Sequence, residues 1–450
     1  MFKKIYKIHV YLGLIVAVHF VIFALTGMIL LFQDEVENGF SVNENQMTIE
    51  SLNSEQVATG YEKISEYILK KHSQDRLIAL FPDEGDYLTI HARVGMNGSG
   101  QLRGARKLQI KLEQDFATVR VDPEAKTSNS KGKFFEIVLE LHREFFLGSY
   151  GKLYVGLIGF LYVLMLVTGF YLYGNFMKGR TFREIRTGEI FKNLDYHKFF
   201  GAVTFGWALV VGLSGTLLAF NGVLIKIFQK NTLEMLNAEY AHVEHLEQIP
   251  QAPLKKVFLS ALEAKPDMHI TYISFPDTEF GLPNKFLFLM NGRTPLTEKI
   301  SEVVVIDAQT ANLVRVVELP LYLKMVMLSE PLHFGNYGGL YLKGIWLVFT
   351  FFSLVVALLG FYSFFRKRRK VKVQSVNLKQ DLKLKQNIKN ITVKKETPLK
   401  RYIIPVGLAC VTLISLTTAL FTTGQLAGLA LVLMLIPFVC LFVYKKKNTQ

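Results

Sequence analysis

The chain of 450 residues has few cysteines, and they are Cys410 and Cys440. Two cysteines exclude a disulfide-built scaffold, a cysteine-rich zinc module and an iron–sulfur cluster held by this chain alone. The sequence has no Cys-x-x-Cys-His motif, which excludes covalently attached c-type haem. It also has no Gly-x-Gly-x-x-Gly motif, so it lacks the dinucleotide-binding fingerprint of a reductase that uses a nicotinamide or flavin dinucleotide.

Charged residues are also few, at 20% of the chain, whereas hydrophobic residues make up 50% and the mean hydropathy is +0.26. This composition excludes a globally disordered chain. A positive mean hydropathy over 450 residues predicts membrane-spanning segments. The formal net charge of +15 then has two explanations, a nucleic-acid partner or the basic loops of a membrane protein.

Apolar runs long enough to cross a bilayer occur six times. The first run follows three lysines, as a signal peptide would, but it is too long for a signal core and no small-x-small cleavage site follows it. We therefore expect an uncleaved anchor. The predicted spans are Val10–Phe32, Leu153–Tyr173, Phe199–Phe220, Ile345–Phe365, Tyr402–Thr422 and Leu426–Tyr444.

The distribution of charge predicts the orientation. Residues 1–8, 175–196, 366–401 and 445–450 hold 25 Lys and Arg against 5 Asp and Glu, and the rest of the chain holds 27 against 32. With six spans, all the basic segments fall on one side, which the positive-inside rule makes cytoplasmic. The sequence therefore predicts a multi-pass protein of the bacterial inner membrane with both termini in the cytoplasm. The net charge of +15 is then explained by the topology and not by nucleic-acid binding.

Two segments of about 100 residues lie outside the spans, and both combine a helical stretch with short strand-like runs. Helical spacing predicts helices near Glu55–Lys70 and over residues 254–264. The strand-like runs are Leu77–Phe81, Tyr87–Ala92, Lys107–Leu112, Phe116–Val121, Ile270–Phe275, Lys285–Met290 and Val303–Ile306. We expect them to form two small α+β modules in the periplasm. The predicted fold class is a multi-pass α-helical membrane protein with these two modules inserted between spans. The predicted organisation is span one at 1–33, module one at 34–140, span two with its preceding histidine at 141–174, a cytoplasmic loop at 175–198, span three at 199–221, module two at 222–331, span four with its preceding histidine at 332–365, a basic linker at 366–401, and a hairpin of spans five and six at 402–445.

The chain contains an internal repeat. When span one is aligned with span three, His9 falls on His197, and when span two is aligned with span four, His142 falls on His333. Glycines follow these histidines by 18 residues in the first pair and by 27 in the second, in both copies. The chain is therefore a duplicated unit followed by two further spans. The matched glycines are Gly13 with Gly201, Gly27 with Gly215, and Gly169 with Gly360.

The repeat predicts two pairs of histidines at two depths. His9 and His197 lie at the cytoplasmic ends of their spans, and His142 and His333 lie at the outer ends. Two histidines at one depth on packed helices can bind opposite faces of one b-type haem, with glycines giving the flat ring room. His19 lies deeper in span one and is a further candidate ligand or proton relay, or a residue hydrogen-bonded between helices.

A structural role is the alternative for these residues. Histidines at a membrane edge can simply anchor a span, and small-residue motifs also serve helix packing. We favour the haem interpretation because polar groups are costly at membrane depth. A zinc site is disfavoured, since no acidic or cysteine cluster accompanies the histidines.

One motif marks each of the first four spans. The motifs are His9-x-x-Leu12-Gly13 with Leu25-Thr26-Gly27, Leu141-His142-Arg143 with Thr168-Gly169, His197-x-x-x-Gly201 with Ser214-Gly215, and Pro331-Leu332-His333-Phe334-Gly335. Together they resemble the PepSY-associated transmembrane proteins, often labelled iron-regulated membrane proteins. The outer modules are similar to PepSY domains, although both lack the final glycine of the Asp-x-x-Thr-Gly motif, at Asp122 and at Asp307.

The resemblance implies a haem-b-containing membrane reductase that delivers electrons to ferric siderophores in the periplasm. Carried over to this chain, the family histidines are His9, His142, His197 and His333, and the expected cofactor is haem b, two per chain. The donor would be quinol or a separate cytoplasmic reductase, and the acceptor ferric iron or a ferric siderophore. No catalytic residue is assigned from the sequence.

Two other functions stay open at this point. A non-redox scaffold would use the outer modules to bind a periplasmic protein or peptide, for example to restrain a peptidase, and would be colourless. A component of an iron permease would transport iron in vesicles, although acidic residues at glycine- or proline-broken helices are missing from the spans.

Overall fold

The protein is described by a computed structural model, which covers residues 1–38, 53–83, 86–102, 104–112, 119–121, 130–182, 184–186, 188–240, 252–294, 297–377, 398–437 and 439. The chain divides into two compact units. The helical unit comprises Met1–Val36, Phe135–Phe220 and Ser329–Gln450. The sheet unit comprises Glu37–Phe134 and Asn221–Leu328.

Helices and strands follow each other in an order that repeats once along the chain. The helices are α1 Phe2–Leu30, α2 Gln33–Asn38, α3 Ser54–Lys71, α4 Ser130–Glu144, α5 Gly148–Phe176, α6 Glu189–Ala219, α7 Asn221–Phe228, α8 Glu234–Tyr240, α9 Leu254–Ala264, α10 Leu321–Phe334, α11 Gly339–Asn377, α12 Ile403–Phe421 and α13 Gly424–Leu433. The strands are β1 Arg76–Asp83, β2 Asp86–Gly95, β3 Arg106–Leu112, β4 Val119–Val121, β5 Met268–Ser274, β6 Lys285–Gly292, β7 Ser301–Asp307 and β8 Leu313–Val317.

Five of the described helices are long and apolar enough to cross a membrane, and they coincide with the first five predicted spans. They are α1, α5, α6, α12 and the segment Asn336–Arg366, which includes most of α11. The predicted sixth span begins in the shorter apolar helix α13, and most of its second half lies outside the described residues. The helices begin earlier than the apolar runs. Helix α1 starts at Phe2 and α6 at Glu189, so His9 and His197 lie inside helices.

Helix α6 lies at the centre of the helical unit, where it packs against α5, α11 and α12. Its aromatic core is built around Trp207, whose ring stacks on Phe349 with centroids 5.5 Å apart. A Cβ added at Gly206 would lie 2.9 Å from the Cα of Ala409, so glycine permits the close approach of α6 and α12. Small residues at such crossings are typical of helices that pack within a membrane.

The sheet unit contains one antiparallel sheet in the order β4-β3-β2-β1-β5-β6-β7-β8. The prediction of two separate modules is therefore corrected: strands from both outer segments belong to the same sheet. The junction is the pairing of β1 with β5, where Ala79 is opposite Ser274 and Leu80 is opposite Ile273. Separate modules would leave both strands with unpaired backbone edges, and their pairing satisfies those groups.

Helices α3 and α9 pack on one face of the sheet and close a single core. Both helices match their predicted positions, because their apolar residues recur at helical spacing. Alternating residues of the strands face this core, among them Leu80, Ile90 and Phe288. Seven of the eight strands overlap predicted runs, and β8 was not predicted.

The turn after β7 is held by Asp307 although the motif there lacks its final glycine. The Asp307 carboxylate accepts hydrogen bonds from the backbone N–H groups of Gln309 and Thr310, at 3.0 and 2.9 Å, and Lys285 Nζ lies 2.6 Å from it. Partial burial alone would raise the pKa of Asp307, but these hydrogen bonds hold it down at about 2. Ala311 stands where the glycine is expected and adopts φ 61°. The corresponding turn after Asp122 lies outside the described residues.

A buried lysine ties α11 to α2 within the helical unit. Lys343 Nζ lies 2.8 Å from Glu35 Oε1 and 3.4 Å from Asp34 Oδ2, and its side chain is almost fully buried. Its repeat partner Lys152 is much more exposed and lies 3.7 Å from Glu144. The two pairs therefore differ in their lysines, since Lys343 is buried with Glu35 whereas Lys152 is partly exposed beside the buried Glu144.

We expect Lys343→Met to lower the free energy of unfolding by about 2 kcal/mol, because it leaves a half-buried carboxylate without its cation. The matched variant Lys152→Met should change it by less than about 1 kcal/mol, because Lys152 is partly exposed and Glu144 keeps Arg143, whose guanidinium lies 2.9 Å away. Thermal denaturation of the detergent-purified variants measures both. Equal shifts in the two variants would show that burial of Lys343 does not matter.

Candidate functional site

The four repeat-matched histidines form two facing pairs within the helical unit, as the sequence predicts. The ring centroids of His9 and His197 are 6.4 Å apart with an angle of 66° between the ring planes. Those of His142 and His333 are 6.2 Å apart with an angle of 56°. All four rings are half-buried. The duplication therefore brings histidines from opposite copies together, and it does so twice with nearly the same spacing.

The first pair is oriented by backbone carbonyls of neighbouring spans. His9 Nδ1 lies 3.1 Å from the carbonyl oxygen of Met165 and 3.2 Å from Thr168 Oγ1 on α5. His197 Nδ1 lies 2.8 Å from the carbonyl oxygen of Val356 on α11. A carbonyl can only accept, so the proton of each imidazole resides on Nδ1.

The second pair is held in the same way from α1 and α6. His142 Nδ1 lies 2.8 Å from Thr26 Oγ1, and that hydroxyl donates its own hydrogen to the carbonyl of Ile22 at 2.7 Å. The Thr26 hydroxyl must therefore accept from His142. His333 Nδ1 donates to the carbonyl of Val211 at 3.1 Å. Nδ1, the ring nitrogen nearer the backbone, is therefore the protonated nitrogen in both His142 and His333.

This pattern leaves the lone pair on Nε2 in all four rings. Among the described residues, the hydrogen bonds of these histidines all involve Nδ1. A neutral imidazole that donates from Nδ1 and offers Nε2 is the usual state of a metal-ligating histidine, with the Nδ1 partner fixing both tautomer and ring angle. The four side chains therefore form two sets of paired donors.

Each histidine ring lies against a glycine on another helix. A Cβ added at Gly169 would come within 2.8 Å of His9 Cε1, and one added at Gly360 within 3.1 Å of His197 Cε1. The corresponding distances are 3.4 Å from Gly27 to His142 and 2.6 Å from Gly215 to His333. Real side chains essentially never approach more closely than 3.0 Å, so at Gly169 and Gly215 any other residue would displace the ring.

The spacing of each pair fits one metal ion between two imidazoles. A metal–imidazole bond is about 2 Å long, and the ring centroid lies about 1 Å beyond the nitrogen, so two imidazoles on one ion have centroids about 6 Å apart. Both observed separations, 6.4 and 6.2 Å, agree with this value. The donor set, two neutral imidazoles among apolar side chains, is that of a bis-histidine haem.

Comparison with known proteins bears on this arrangement. A family model described as the PepSY-associated TM region matches residues 6–367. The chain belongs to the PepSY-associated TM family. This confirms the resemblance drawn from the four histidine and glycine motifs. No curated protein matches the chain. With its five candidate spans, this family member is a membrane protein.

In this PepSY-associated TM protein, His19 is separate from both pairs. Its Nδ1 donates to the carbonyl of Ile15 at 2.8 Å, so its Nε2 is the acceptor for the Tyr154 hydroxyl, 2.5 Å away. Its ring also contacts Phe145, with centroids 6.1 Å apart. His19 thus makes a hydrogen bond between α1 and α5, and both of its ring nitrogens are engaged.

Sequence reasoning identified the histidines and glycines of this family member but missed the groups that orient the rings. A hydroxyl residue precedes Gly27, Gly169 and Gly215, and the motifs include it without giving it a role. Thr26 and Thr168 lie within hydrogen-bond distance of a histidine, and Ser214 lies 3.5 Å from His333 Nδ1. These three hydroxyls were the available signal, whereas Gly360 follows Leu359 and has no such neighbour. The carbonyl partners have no signal, because every residue has a carbonyl group.

Proposed function

We propose that this membrane protein transfers electrons across the bilayer through two b-type haems to an acceptor in the periplasm, and that the acceptor is ferric iron in a chelate such as a siderophore. The observation that carries the proposal is the pair of facing histidine sets, each with Nδ1 engaged and Nε2 available. The function would be that of a haem-dependent ferric-chelate reductase in iron acquisition.

The separation of the two sets supports a path across the membrane. His9 and Gly27, which contacts the second set, are 18 residues apart on α1. At the rise of an α-helix this is about 27 Å, close to the thickness of the hydrocarbon core. One set would therefore lie near each surface of the membrane.

In this proposal the residues of this chain bind the haems and orient the histidine rings. His9 and His197 would supply the axial nitrogens of one haem, and His142 and His333 those of the other. When bound, each haem supplies a one-electron couple between ferric and ferrous iron. The glycines give the rings room, and the Nδ1 partners keep the imidazoles neutral and their angles fixed.

The charge distribution gives the direction. The basic segments next to the spans favour cytoplasmic termini and a location in the bacterial inner membrane. Electrons would then enter near His9 and His197 and leave near His142 and His333. The donor would be membrane quinol or a separate cytoplasmic reductase, and one electron would reduce each ferric ion to ferrous ion.

The test is optical. We expect the purified protein to show a dithionite-reduced-minus-oxidised spectrum of b-type haem, and a pyridine haemochrome assay to count two haems per chain. In vesicles with a reductant inside, it should reduce a membrane-impermeant ferric chelate outside. A colourless protein would contradict the proposal and favour a non-redox scaffold, and iron uptake without reduction would favour a permease component.

The hydroxyl partners lead to a further prediction within this proposal. Thr26→Val removes the hydroxyl that accepts the hydrogen bond of His142 Nδ1 at 2.8 Å. Hydrogen-bond partners of metal-ligating histidines are worth about 10–100-fold in affinity for the metal. We expect haem to leave the purified Thr26→Val protein about tenfold faster than the wild type, measured by transfer to an excess of haem-accepting protein.

Ser214→Ala is the matched control in the other copy. His333 keeps its shorter hydrogen bond to the carbonyl of Val211, at 3.1 Å, when the hydroxyl at 3.5 Å is lost. Haem loss from this variant should stay close to that of the wild type. If both variants lose haem at the wild-type rate, these hydroxyls do not support the ligands.

A further inference from the structure

Three aromatic rings stack in a row across the sheet unit. The rings of Tyr272 on β5 and Phe81 on β1 have centroids 5.6 Å apart and planes 19° apart. The rings of Phe81 and His91 on β2 have centroids 5.3 Å apart and planes 22° apart. Together with Arg93 on β2, whose guanidinium lies 5.2 Å from the Phe81 centroid, they form what we call the aromatic row.

Strand register places the aromatic row on one face of the sheet. Phe81 is directly opposite His91, and residues directly opposite in an antiparallel pair share a face. The intervening residues Leu80 and Ile90 belong to the core under α3 and α9, so the row lies on the other face. Register also places Lys107 opposite Arg93, and Lys111 on the same side of β3.

This face changes character along the sheet. Over β6 and β7 it carries apolar residues, among them Leu287, Val303 and Val305, which pack in a cluster with Leu236 of α8. Over β3, β2 and β1 it carries the aromatic row and the two lysines. The lysine side chains are exposed, and the Phe81 and Arg93 side chains are half-buried.

The charge of this half is positive. No carboxylate in the described part of the chain forms an ion pair with Arg93, Lys107 or Lys111, whereas His91 Nε2 lies 3.3 Å from Asp83 Oδ1. Partial burial lowers the pKa of Arg93 from its usual value. A cation that is partly removed from water, and that forms no ion pair with a carboxylate among the described residues, attracts an anion strongly.

The central ring of the aromatic row is Phe81, which is half-buried. Because Tyr272 and His91 stack on it, its faces are covered and its edge is the part left for contact. Ring edges carry the positive end of the aromatic quadrupole, and they prefer the electron-rich face of another ring or an anion. The aromatic row and the lysines thus match a ligand that is both aromatic and anionic.

We propose that this half of the sheet binds an anionic ferric chelate whose iron is wrapped by catecholate groups. Such a chelate presents aryl rings and several negative charges, which complement the ring edges, Arg93 and the two lysines. The proposal rests on the proposed function for the identity of the iron chelate as substrate. A neutral hydroxamate chelate has neither feature and would bind poorly here.

The test uses gallium, which forms the same chelates but is not reduced. Binding of a gallium tris-catecholate and of a neutral gallium tris-hydroxamate to the full-length protein in detergent is measured by calorimetry. We expect the wild type to prefer the catecholate by at least about tenfold, the value of one charge-assisted contact. Equal affinities, or no binding of either chelate, would overturn the proposal. This measurement uses the wild type alone, so it does not depend on whether a variant folds.

Variants locate the site. Arg93→Gln and Phe81→Leu should each weaken catecholate binding about tenfold. The first substitution removes a positive charge from the surface, and the second removes an aromatic ring. The charge-matched control is Lys256→Gln, on helix α9 on the opposite face, which should leave the affinity unchanged. Unchanged affinity in the first two variants, or an equal loss in all three, would contradict the assignment.

The outcome separates this inference from the proposed function. Loss of catecholate binding in Arg93→Gln, with both haems present and reduction of other ferric chelates intact, supports the inference. Haems and reduction without any catecholate binding would refute the inference and leave the proposed function standing. Catecholate binding at the aromatic row in a protein that contains no haem would refute the proposed function alone.

Discussion

The double variant His142→Ala, His333→Ala is expected to retain about half of the haem of the wild type. Under the proposed function these two imidazoles would hold one b-type haem, which has no covalent link to the protein, so their removal should release it. The other pair, His9 and His197, lies at the far end of the same spans and keeps its own partners. Pyridine haemochrome content per chain gives the number, and electron transfer across the vesicle membrane should fall to background.

His19→Phe is the matched control for this experiment. It removes a histidine from the same region of the protein, but one whose two nitrogens are hydrogen-bonded to Ile15 and Tyr154. We expect full haem content in this variant. Two haems per chain in the double alanine variant would show that His142 and His333 are not ligands, whatever the spectrum of the wild type.

The second large effect is expected from a single added methyl group. In Gly215→Ala, the Cβ would lie 2.6 Å from Cε1 of His333, a distance that requires the ring to shift. The shift moves the imidazole of His333 from its position facing His142, 6.2 Å between ring centroids, and a misplaced ligand weakens a metal bond sharply. We expect loss of about half of the haem, as in the double alanine variant, with the protein still folded in the membrane.

The structure offers a graded series for this test. The same substitution at Gly27 places Cβ 3.4 Å from His142, an ordinary contact distance, and at Gly344 it meets nothing within 4 Å. Haem content should therefore fall in the order Gly344→Ala, Gly27→Ala, Gly215→Ala, with little loss in the first. Equal haem content in all three would mean that the glycines serve helix packing and not the histidine rings.

Much of the fold follows from the sequence because its signals are local. Apolar runs of spanning length predict the first five spans, and apolar spacing predicts α3 and α9 to within a residue at either end. The pairing of β1 with β5 could not be predicted. It joins strands from different copies of the repeat, and a strand's partner depends on which edges are left unpaired, which no local pattern encodes.

The candidate site was predicted in its residues but not in its details. Alignment of the two copies identified His9, His197, His142 and His333, because a duplication marks equivalent depths. The tautomer of each ring could not be predicted, because it depends on carbonyls such as those of Met165 and Val211 on other helices. For the same reason, the engagement of both nitrogens of His19 needed the position of Tyr154.

The pairing of β1 with β5 has a consequence for biogenesis. The chain emerges from the ribosome from its amino terminus, so β1 is made long before β5, with the second and third spans in between. Until β5 arrives, the edge of β1 is open, and such edges invite pairing with other chains. A protein cut after the second span would keep this exposed edge permanently. Closure of the sheet between its two halves therefore waits until β5 is made, and contacts of such high sequence separation form slowly.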